Sequence, residues 1–514
     1  MNGLTKKILS VIIALAVVVT PLATCFAGYR VIEGTQDCPF IYIHGFMGES
    51  VYLDKDDPDS ILAFPPSADE ILSVVKNNLG NILSFLITKD YDRLAEVLIE
   101  PCRQLLCKGN LGYDGEIPNN SGIRFDYPAK ELINSKSQLS FDYDWRLDPI
   151  YVAEQLNDYI EYVCDASGCD QVTLECHSFG GVVTISYLTL YGLQRVKGVC
   201  YNSTAIYGED YTGMMLSGGI KVEDDSVTEF LKEALGENEY SKLFNGLFDI
   251  LKASGLTGDI CNLANNIVKY CGASVIREVV APMFAGWLSI WAMIPDQYVD
   301  ACKDYVFNTI YKDDGIDHSG LIAKIDDYNT RVRAHKTETL MAQNKVANVY
   351  CVARYGYCSV PTSDSWSNMS DSVIDLKYAS WGATCGKYNE KLSKSYIASH
   401  NAKYISPDEN VDASTCLFPE QTWFLRGMKH SESYDSFDNM MLELLCYDGQ
   451  ATVDTFEQYP QFLYFDRESE LVVADYGTPA AAPTVWERIF SFCIKMITGF
   501  KQFFNDIKWL ITLR

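Results

Sequence analysis

Residues 171–181, QVTLECHSFGG, decide the fold. The first half of this stretch is rich in β-branched and apolar side chains and predicts a buried strand, whereas residues 181–191 predict a helix. A serine at such a junction is typical of a nucleophile elbow, whose sharp turn requires small residues two positions before and after the serine. Gly180 meets this requirement, and Cys176 replaces the usual glycine with another small residue. The stretch therefore predicts Ser178 as a catalytic nucleophile, and the alternative is an ordinary strand-to-helix turn that contains serine.

Strand and helix patterns alternate on both sides of this stretch. Upstream, residues 39–43 predict a buried strand that ends in the glycine-bounded turn HGFMG, residues 44–48. A strand pattern at 138–143 is followed by a helix pattern from about 149 to 163, and another strand pattern covers 196–201. This alternation predicts an α/β protein with a mostly parallel sheet that carries helices on both faces.

The predicted organisation is a sheet domain with a long insertion. Helical patterns replace the strand and helix alternation after residue 208, which predicts a mainly helical cap or lid. Strand patterns return at 346–353 and 422–425. The predicted segments are a signal peptide at 1–27, the first part of the core at 28–208 with a helical insertion at about 67–107, the cap at 209–344, the second part of the core at 345–474, a linker at 475–484 and an amphipathic helix at 485–514.

A serine that attacks an ester needs two N–H donors for the oxyanion that forms on the substrate. In an elbow, one donor is the amide of the residue after the nucleophile, and the second comes from a loop after an early strand. Phe179 and Phe46 occupy these two positions and are the predicted oxyanion residues. His177, which precedes the serine, is predicted to support the structure rather than to react.

The acid and the base are expected after the serine, in the order acid and then histidine. His430 is the best-placed histidine because it follows the predicted strand 422–425 after a short loop. His400 is its competitor, although no predicted strand delivers it. The alternative interpretation of His430 is a surface histidine near the end of a strand.

The acid is identified through a resemblance. One loop resembles the acid loop of bacterial lipases, which has an aspartate, a valine, a serine and a proline at the positions of Asp408, Val411, Ser414 and Pro419. The resemblance implies that Asp408 orients the imidazole of His430 and stabilises the imidazolium. Asp412 is the second choice for this role and Asp364 is the third.

Three further segments occur in order along the chain, YDWR at 143–146, WAMIP at 291–295 and YGYCSVPT at 355–362. In sequence and in order they are similar to segments of the lecithin:cholesterol acyltransferase and phospholipid:diacylglycerol acyltransferase group of the lipase superfamily. The resemblance implies a serine lipase or esterase of the α/β-hydrolase fold. As a purely structural interpretation, Asp144 and Arg146 form a buried ion pair that supports the edge of the sheet.

The N-terminus predicts export to the cell surface or the medium. Lys6 and Lys7 precede an apolar run at 8–19 and small residues up to Ala27, which is the layout of a signal peptide cleaved after Ala27. The chain has 17 cysteines, for which an oxidising compartment makes disulfides the expected use. Pairs that could close short loops are Cys102 with Cys107, Cys164 with Cys169, Cys261 with Cys271 and Cys351 with Cys358. Paired CxxC motifs are absent from the sequence, and neither a metal nor a cofactor is predicted.

The distribution of charge argues against nucleic acid as a partner and is compatible with a lipid surface. The net charge of −26 repels polyanions and argues against nucleic-acid binding. Residues 485–514 are different, because basic residues outnumber acidic ones and apolar residues recur at helical spacing. This pattern is typical of a helix on an anionic lipid surface, and the alternative is a helix that docks on its own protein.

These features predict a secreted or cell-surface serine hydrolase that cleaves acyl esters of lipids through an acyl-enzyme. The same machinery becomes a lipid acyltransferase if a sterol or glyceride alcohol outcompetes water in the second step. An alternative from another class is a non-catalytic surface protein that keeps the scaffold for binding.

Overall fold

The computed structural model describes residues 37–234, 252 and 255–474. Its centre is one eight-stranded sheet. In chain order the strands are β1 (Phe40–Ile43), β2 (Gln138–Phe141), β3 (Val172–His177), β4 (Val196–Asn202), β5 (Asn348–Tyr355), β6 (Thr422–Arg426), β7 (Phe462–Asp466) and β8 (Leu471–Val473). Across the sheet they lie in the order β8-β7-β6-β5-β4-β3-β1-β2. Neighbouring strands are parallel, except that β8 runs antiparallel to β7. The predicted α/β class with a mostly parallel sheet is confirmed.

Helices connect the strands. In chain order they are α1 (Ala68–Thr88), α2 (Tyr91–Leu106), α3 (Pro149–Ser167), α4 (Gly180–Tyr191), α5 (Asp210–Leu216), α6 (Asp224–Ala234), α7 (Leu256–Val275), α8 (Leu288–Met293), α9 (Val299–Tyr305), α10 (Ser319–Arg331), α11 (Lys336–Val346), α12 (Leu376–Ala379), α13 (Lys394–Ser399) and α14 (Asp435–Cys446). Between β4 and β5 the described chain is helical, and it includes two wider π-helical segments, Ile276–Ala285 and Val306–Ile310.

Both faces of the sheet are buried. Ile41 and Ile43 of β1 lie in one apolar cluster, which also contains buried residues of α3 and α4. Phe40 and Tyr42 alternate with them along the strand and lie in a second cluster, together with residues of α14. Strands that are covered on both faces by helices are typical of parallel sheets in α/β proteins.

The order of the strands creates a switch point. From β1 the chain passes to β2 on one side, whereas from β3 it passes to β4 on the other side. In open parallel sheets, ligands bind at the carboxyl ends of two strands whose connections diverge in this way. The end of β3 is therefore the first place to examine for a functional site, and Ser178 follows it directly.

The Asp144–Arg146 ion pair is confirmed. Arg146 is fully buried, and its Nε lies 2.8 Å from Asp144 Oδ1. Its Nη1 also donates to the carbonyl of Gly109 at 2.7 Å, which ties the end of β2 to the chain beyond α2. These contacts compensate the buried charge of Arg146. Removal of either partner would leave the other as a buried charge without a counterion.

The predicted short-loop disulfides are not formed. Among the described residues, no disulfide is formed by Cys102, Cys107, Cys164, Cys169, Cys261 or Cys351. Two of them have other partners, since Cys107 Sγ lies 3.7 Å from the carbonyl of Val279 and Cys351 Sγ lies 3.2 Å from that of Ala379. Closeness in sequence is therefore not enough to predict a disulfide, which also requires a specific geometry between the two cysteines.

Three predicted segments lie outside the described residues: the signal peptide at 1–27, the linker at 475–484 and the amphipathic helix at 485–514. Within the described ranges, every helix is too short or too polar to cross a membrane.

Candidate active site

Ser178 occupies a strained turn at the end of β3. Its φ is 56°, in the left-handed region that residues with a side chain rarely adopt. The turn is held by its backbone, because Ser178 N donates to the carbonyl of Asn202 at 3.2 Å and its own carbonyl accepts from Gly181 and Ala205. A non-glycine residue in this conformation persists only where its surroundings enforce it, and such strain is concentrated at functional sites.

Two glycines allow the strand and helix to approach. A Cβ on Gly180 would lie 2.3 Å from the carbonyl oxygen of Ile43, and one on Gly181 would lie 2.4 Å from Cβ of Thr204. Neither distance is compatible with a side chain, so both positions require glycine. Cys176, on the other side of the serine, is fully buried, with Sγ 3.7 Å from the carbonyl of Cys200. The local geometry is that of an elbow that accommodates a thiol in place of the first glycine.

The loop after β1 touches the serine. A Cβ on Gly45 would lie 2.7 Å from Ser178 Cβ and 3.2 Å from its Oγ. The loop turns tightly, since Gly48 N donates to the carbonyl of Gly45 at 3.1 Å and Met47 has a φ of 59°. Phe46, between them, therefore lies one residue from the contact with Ser178.

His44 fixes this loop. Its ring stacks on Tyr143 with centroids 4.2 Å apart, one ring nitrogen accepts from the amide of Tyr143, and Nδ1 lies 2.8 Å from the carbonyl of Gly45. Since a carbonyl only accepts, Nδ1 carries the proton and Nε2 is the acceptor. Burial lowers the pKa of His44, which favours this neutral form. The imidazole is thus a structural support of the loop.

His430 pairs with Asp371. Nδ1 of His430 lies 2.7 Å from Asp371 Oδ2, and the amide of His430 donates to the carbonyl of Asp371 at 2.9 Å. Both side chains are buried. Burial acts to raise the pKa of Asp371, but His430 and the amides of Ile374 and Val373 outweigh it and hold the pKa below 3.8. The carboxylate is therefore ionised and fixes the Nδ1–H tautomer of the imidazole.

The histidine lies beside the elbow. The ring centroids of His430 and His177 are 4.5 Å apart, and His177 directly precedes the serine. Burial lowers the pKa of His177 well below 6.5, and the nearby side chains of His430 and Arg354 lower it further. His177 is consequently neutral, with Nδ1 3.2 Å from the carbonyl of Asn202, in keeping with a supporting role.

Asp408 does not pair with His430, which corrects the sequence-based choice of acid. Its carboxylate accepts from Ser406 at 2.5 Å and from Tyr355 and the Asn410 side chain at 3.3 Å and 3.2 Å. These contacts hold the loop before β6 together. The two lower-ranked carboxylates have other partners as well, since Asp412 accepts from Tyr396 and Asp364 pairs with Lys221.

The other residues that the sequence singled out, His400 and the two oxyanion candidates, lie in different surroundings. His400 is exposed on the chain after α13 and stacks on Tyr396. Phe179 is fully buried at the start of α4, and Phe46 is half-buried with its ring 4.6 Å from that of Trp145. Ser178, His430 and the two oxyanion candidates all follow carboxyl ends of central strands, as the sequence predicted.

Asp371 was missed because a very short element delivers it. It follows the two-residue strand Met369–Ser370, which pairs with Tyr357–Cys358 just beyond β5. A pair this short leaves no periodic pattern in the sequence. The available signal was the position of Asp371 on the loop after a late core strand, where the acid of this type of site is expected.

One group of side chains in the described ranges could hold a metal ion. Ligand atoms of His44, Glu49 and Asp142 lie within 4.8 Å of one another. Burial and the charge of Asp142 raise the pKa of Glu49 to about 7. The imidazole already donates to Gly45 and accepts from Tyr143, so neither ring nitrogen is left over for a metal.

Comparisons with known proteins give a match among the solved structures. Neither a family model nor a curated protein matches the chain. Among solved structures, a chain of the crystal structure of the Tle4–Tli4 complex matches with 13% identity and a TM-score of 0.33, covering 79% of this chain and 97% of that chain. A likeness at this TM-score carries no argument about fold or function.

A buried carboxyl group below the elbow predicts a pH effect on stability. Burial and the charge of Asp438 raise the pKa of Glu175 to about 8 from its ordinary 4.5, although Asn202 donates to it at 3.2 Å. Because the folded state keeps this proton longer than the unfolded chain, its contribution to stability is lost as the pH rises from about 4.5 to about 8. Glu175→Gln removes this loss. We expect its Tm relative to the original chain to rise by roughly a few degrees between pH 5 and pH 8 in calorimetry.

The matched control is Glu116→Gln, whose carboxylate is 66% exposed and pairs with Lys324. Its Tm relative to the original chain should not change between the two pH values. A Glu175→Gln difference that stays constant from pH 5 to pH 8 would show that Glu175 is ionised in the folded protein.

Proposed function

We propose that this chain is a serine hydrolase that cleaves acyl-ester bonds of lipids, with Ser178 as nucleophile, His430 as base and Asp371 as the acid. The observation that carries the proposal is the left-handed φ of Ser178 at a strand-to-helix junction. A buried His430–Asp371 pair at the same edge of the sheet supports it. A strained serine beside an oriented imidazole is the arrangement that activates a hydroxyl for attack.

In the proposed reaction, Ser178 Oγ attacks the ester carbonyl carbon and its proton passes to His430 Nε2. Asp371 holds the Nδ1–H and stabilises the imidazolium without taking its proton. The amides of Phe46 and Phe179 donate to the oxyanion of the tetrahedral intermediate. Collapse breaks the bond to the alcohol, which leaves with the proton from His430.

The second half of the reaction releases the acyl chain. Water gives a proton to His430 and attacks the carbonyl carbon of the acyl-enzyme. When the new tetrahedral intermediate collapses, the bond to Ser178 breaks and Oγ recovers its proton from His430. The products are the free acid and the original enzyme, so no cofactor takes part in this scheme.

The lipid part of the proposal rests on the resemblance of YDWR, WAMIP and YGYCSVPT to the lecithin:cholesterol acyltransferase group. The half-buried ring of Phe46 supports it, because it adds an aromatic surface beside the serine loop, packed on Trp145 and 5.9 Å from Trp287. We further propose export by the signal peptide at 1–27 and contact with a membrane surface through 485–514, both on the sequence patterns alone.

The test is covalent labelling of the chain without residues 1–27 by a fluorophosphonate, followed by mass spectrometry of the labelled peptide. We expect one adduct, on Ser178, in the folded protein and none after heat denaturation, because only the elbow activates a serine hydroxyl. The same preparation should hydrolyse p-nitrophenyl esters, with a preference for longer acyl chains. An absence of labelling in folded protein, or an adduct on another serine, would contradict the assigned nucleophile.

A further inference from the structure

A buried arginine lies behind the histidine loop. Arg354 is at the end of β5 and is 2% exposed. Its Nη1 lies 2.9 Å from the carbonyl of Lys429, 3.0 Å from that of His430 and 2.7 Å from that of Glu432. One guanidinium nitrogen is therefore within hydrogen-bonding distance of three carbonyl groups in the segment that carries the proposed base.

An aromatic ring and several carboxyl groups lie near this cation. Its guanidinium lies 4.4 Å from the ring centre of Phe437 on α14, and its Nε has no hydrogen-bond partner. Burial lowers the pKa of Arg354, and the carboxyl groups of Asp371, Asp438 and Glu175 act in the opposite direction. Arginine nevertheless keeps its charge in proteins. A buried cation is costly unless other groups compensate it, and here both the three backbone carbonyls and the nearby carboxyl groups do so.

The loop that Arg354 holds has little regular structure of its own. It begins at Gly427, whose φ of 90° turns the chain away from β6. The amide of Lys429 donates to the carboxylate of Glu432 at 2.7 Å, and the amide of His430 donates to the carbonyl of Asp371. Thus one of these contacts lies within the loop, and the other ties the backbone of His430 to the segment that carries Asp371.

We propose that Arg354 is a positioning residue for the hydrolysis proposed above: it binds the carbonyl groups of the histidine loop and so keeps the imidazole of His430 aligned between Asp371 and Ser178. The inference rests on the proposed function for its catalytic consequence, but not for the loop contact itself. Lysine is only a partial replacement, because its compact ammonium can donate to carbonyl groups but does not stack on the Phe437 ring as the planar guanidinium does.

The kinetic test compares Arg354→Met and Arg354→Lys with the original chain on p-nitrophenyl butyrate. A displacement of the imidazole by about 1 Å lowers turnover on the order of a hundredfold, so we expect kcat to fall by that factor in Arg354→Met. KM should stay within about two-fold, because the arginine does not touch the substrate. The lysine variant should recover part of kcat, since it retains a buried charge that can donate to one carbonyl.

The matched control is Arg426→Met at the end of the adjacent strand β6. Arg426 is 41% exposed and lies 3.5 Å from Asp408, so its loss removes the same charge without releasing the histidine loop. We expect its kcat to stay within about two-fold of the original. Equal losses of kcat in Arg354→Met and Arg426→Met, or unchanged kcat in Arg354→Met, would overturn the inference.

Hydrogen exchange of residues 427–433 separates this inference from the proposed function. The amide of His430 is hydrogen-bonded to Asp371, and its exchange should be faster in both Arg354 variants but not in Arg426→Met. If the original chain hydrolyses no ester yet the exchange increases, the proposed function fails and the loop contact stands. If Arg354→Met does not fold, the same measurement on Arg354→Lys decides, and unchanged exchange in a folded Arg354 variant rejects the contact.

Discussion

Ser178→Ala is expected to abolish ester hydrolysis, with kcat for p-nitrophenyl butyrate falling on the order of a millionfold. In the proposed mechanism the substitution removes the single oxygen that would form the acyl-enzyme, and it leaves the backbone turn to be held by Asn202, Gly181 and Ala205. Alanine keeps the Cβ that serine already has at this φ of 56°, and the Tm should be measured beside the activity to show that the fold is retained. A burst of p-nitrophenol in pre-steady-state measurements, present in the original chain and lost in the variant, would establish the covalent step.

The control for this experiment is Ser186→Ala. Ser186 lies on α4 with its hydroxyl donating to the carbonyl of Val182 at 2.7 Å, so its loss removes a buried serine oxygen without touching the elbow. Activity should remain within a few-fold of the original. The proposed nucleophile would be rejected if Ser178→Ala, correctly folded, retained a substantial fraction of the turnover.

The second large effect is expected from Asp371→Asn, for which kcat should fall on the order of ten-thousandfold. An amide nitrogen facing Nδ1 would favour the tautomer with the proton on Nε2, which leaves the imidazole without a lone pair toward Ser178. The variant keeps the shape of the side chain, and the amides of Val373 and Ile374 can still donate to its remaining oxygen. The loss should therefore appear in kcat with a small change in KM.

Asp408→Asn is the decisive comparison, because it was the sequence-based choice of acid. Asp408 accepts from Ser406, Tyr355 and Asn410 and does not contact His430. We expect its kcat to stay within a few-fold of the original and its Tm to fall, since a partly buried hydrogen-bond network loses one of its two acceptor oxygens. If the ranking were reversed, with Asp408→Asn the more damaging to kcat, Asp371 would lose its assigned role.

The contrast between Ser178 and Asp371 explains which parts were predictable. The strand, turn and helix around the serine depend on neighbouring residues, and the strand pattern and the glycine requirement were both visible in residues 171–181. The order of β5, Asp371, β6 and His430 is also visible in the chain, but the pairing of one carboxylate with one histidine is a long-range contact. Among many acidic residues, a local pattern could not select Asp371.

The partners of the cysteines could not be predicted from local sequence either. Their spacing suggested short loops, yet Cys351 faces Ala379, and Cys107 faces Val279 across the fold. In contrast, the Asp144–Arg146 pair was predictable, because the two residues are two positions apart and no distant partner had to be chosen. Sequence patterns were therefore reliable where the interaction is local and unreliable where the sheet brings distant segments together.

The residues of the proposed site follow different strands, and this has a consequence for biosynthesis. During translation Ser178 is made well before β6 and His430, and β6 lies in the sheet between β5 and the still later β7. Under the proposed mechanism, a growing or partly folded chain holds a serine that lacks its base and its acid. If the proposed mechanism holds, activity appears only when the sheet is complete, and an incomplete chain is inactive without any inhibitory segment.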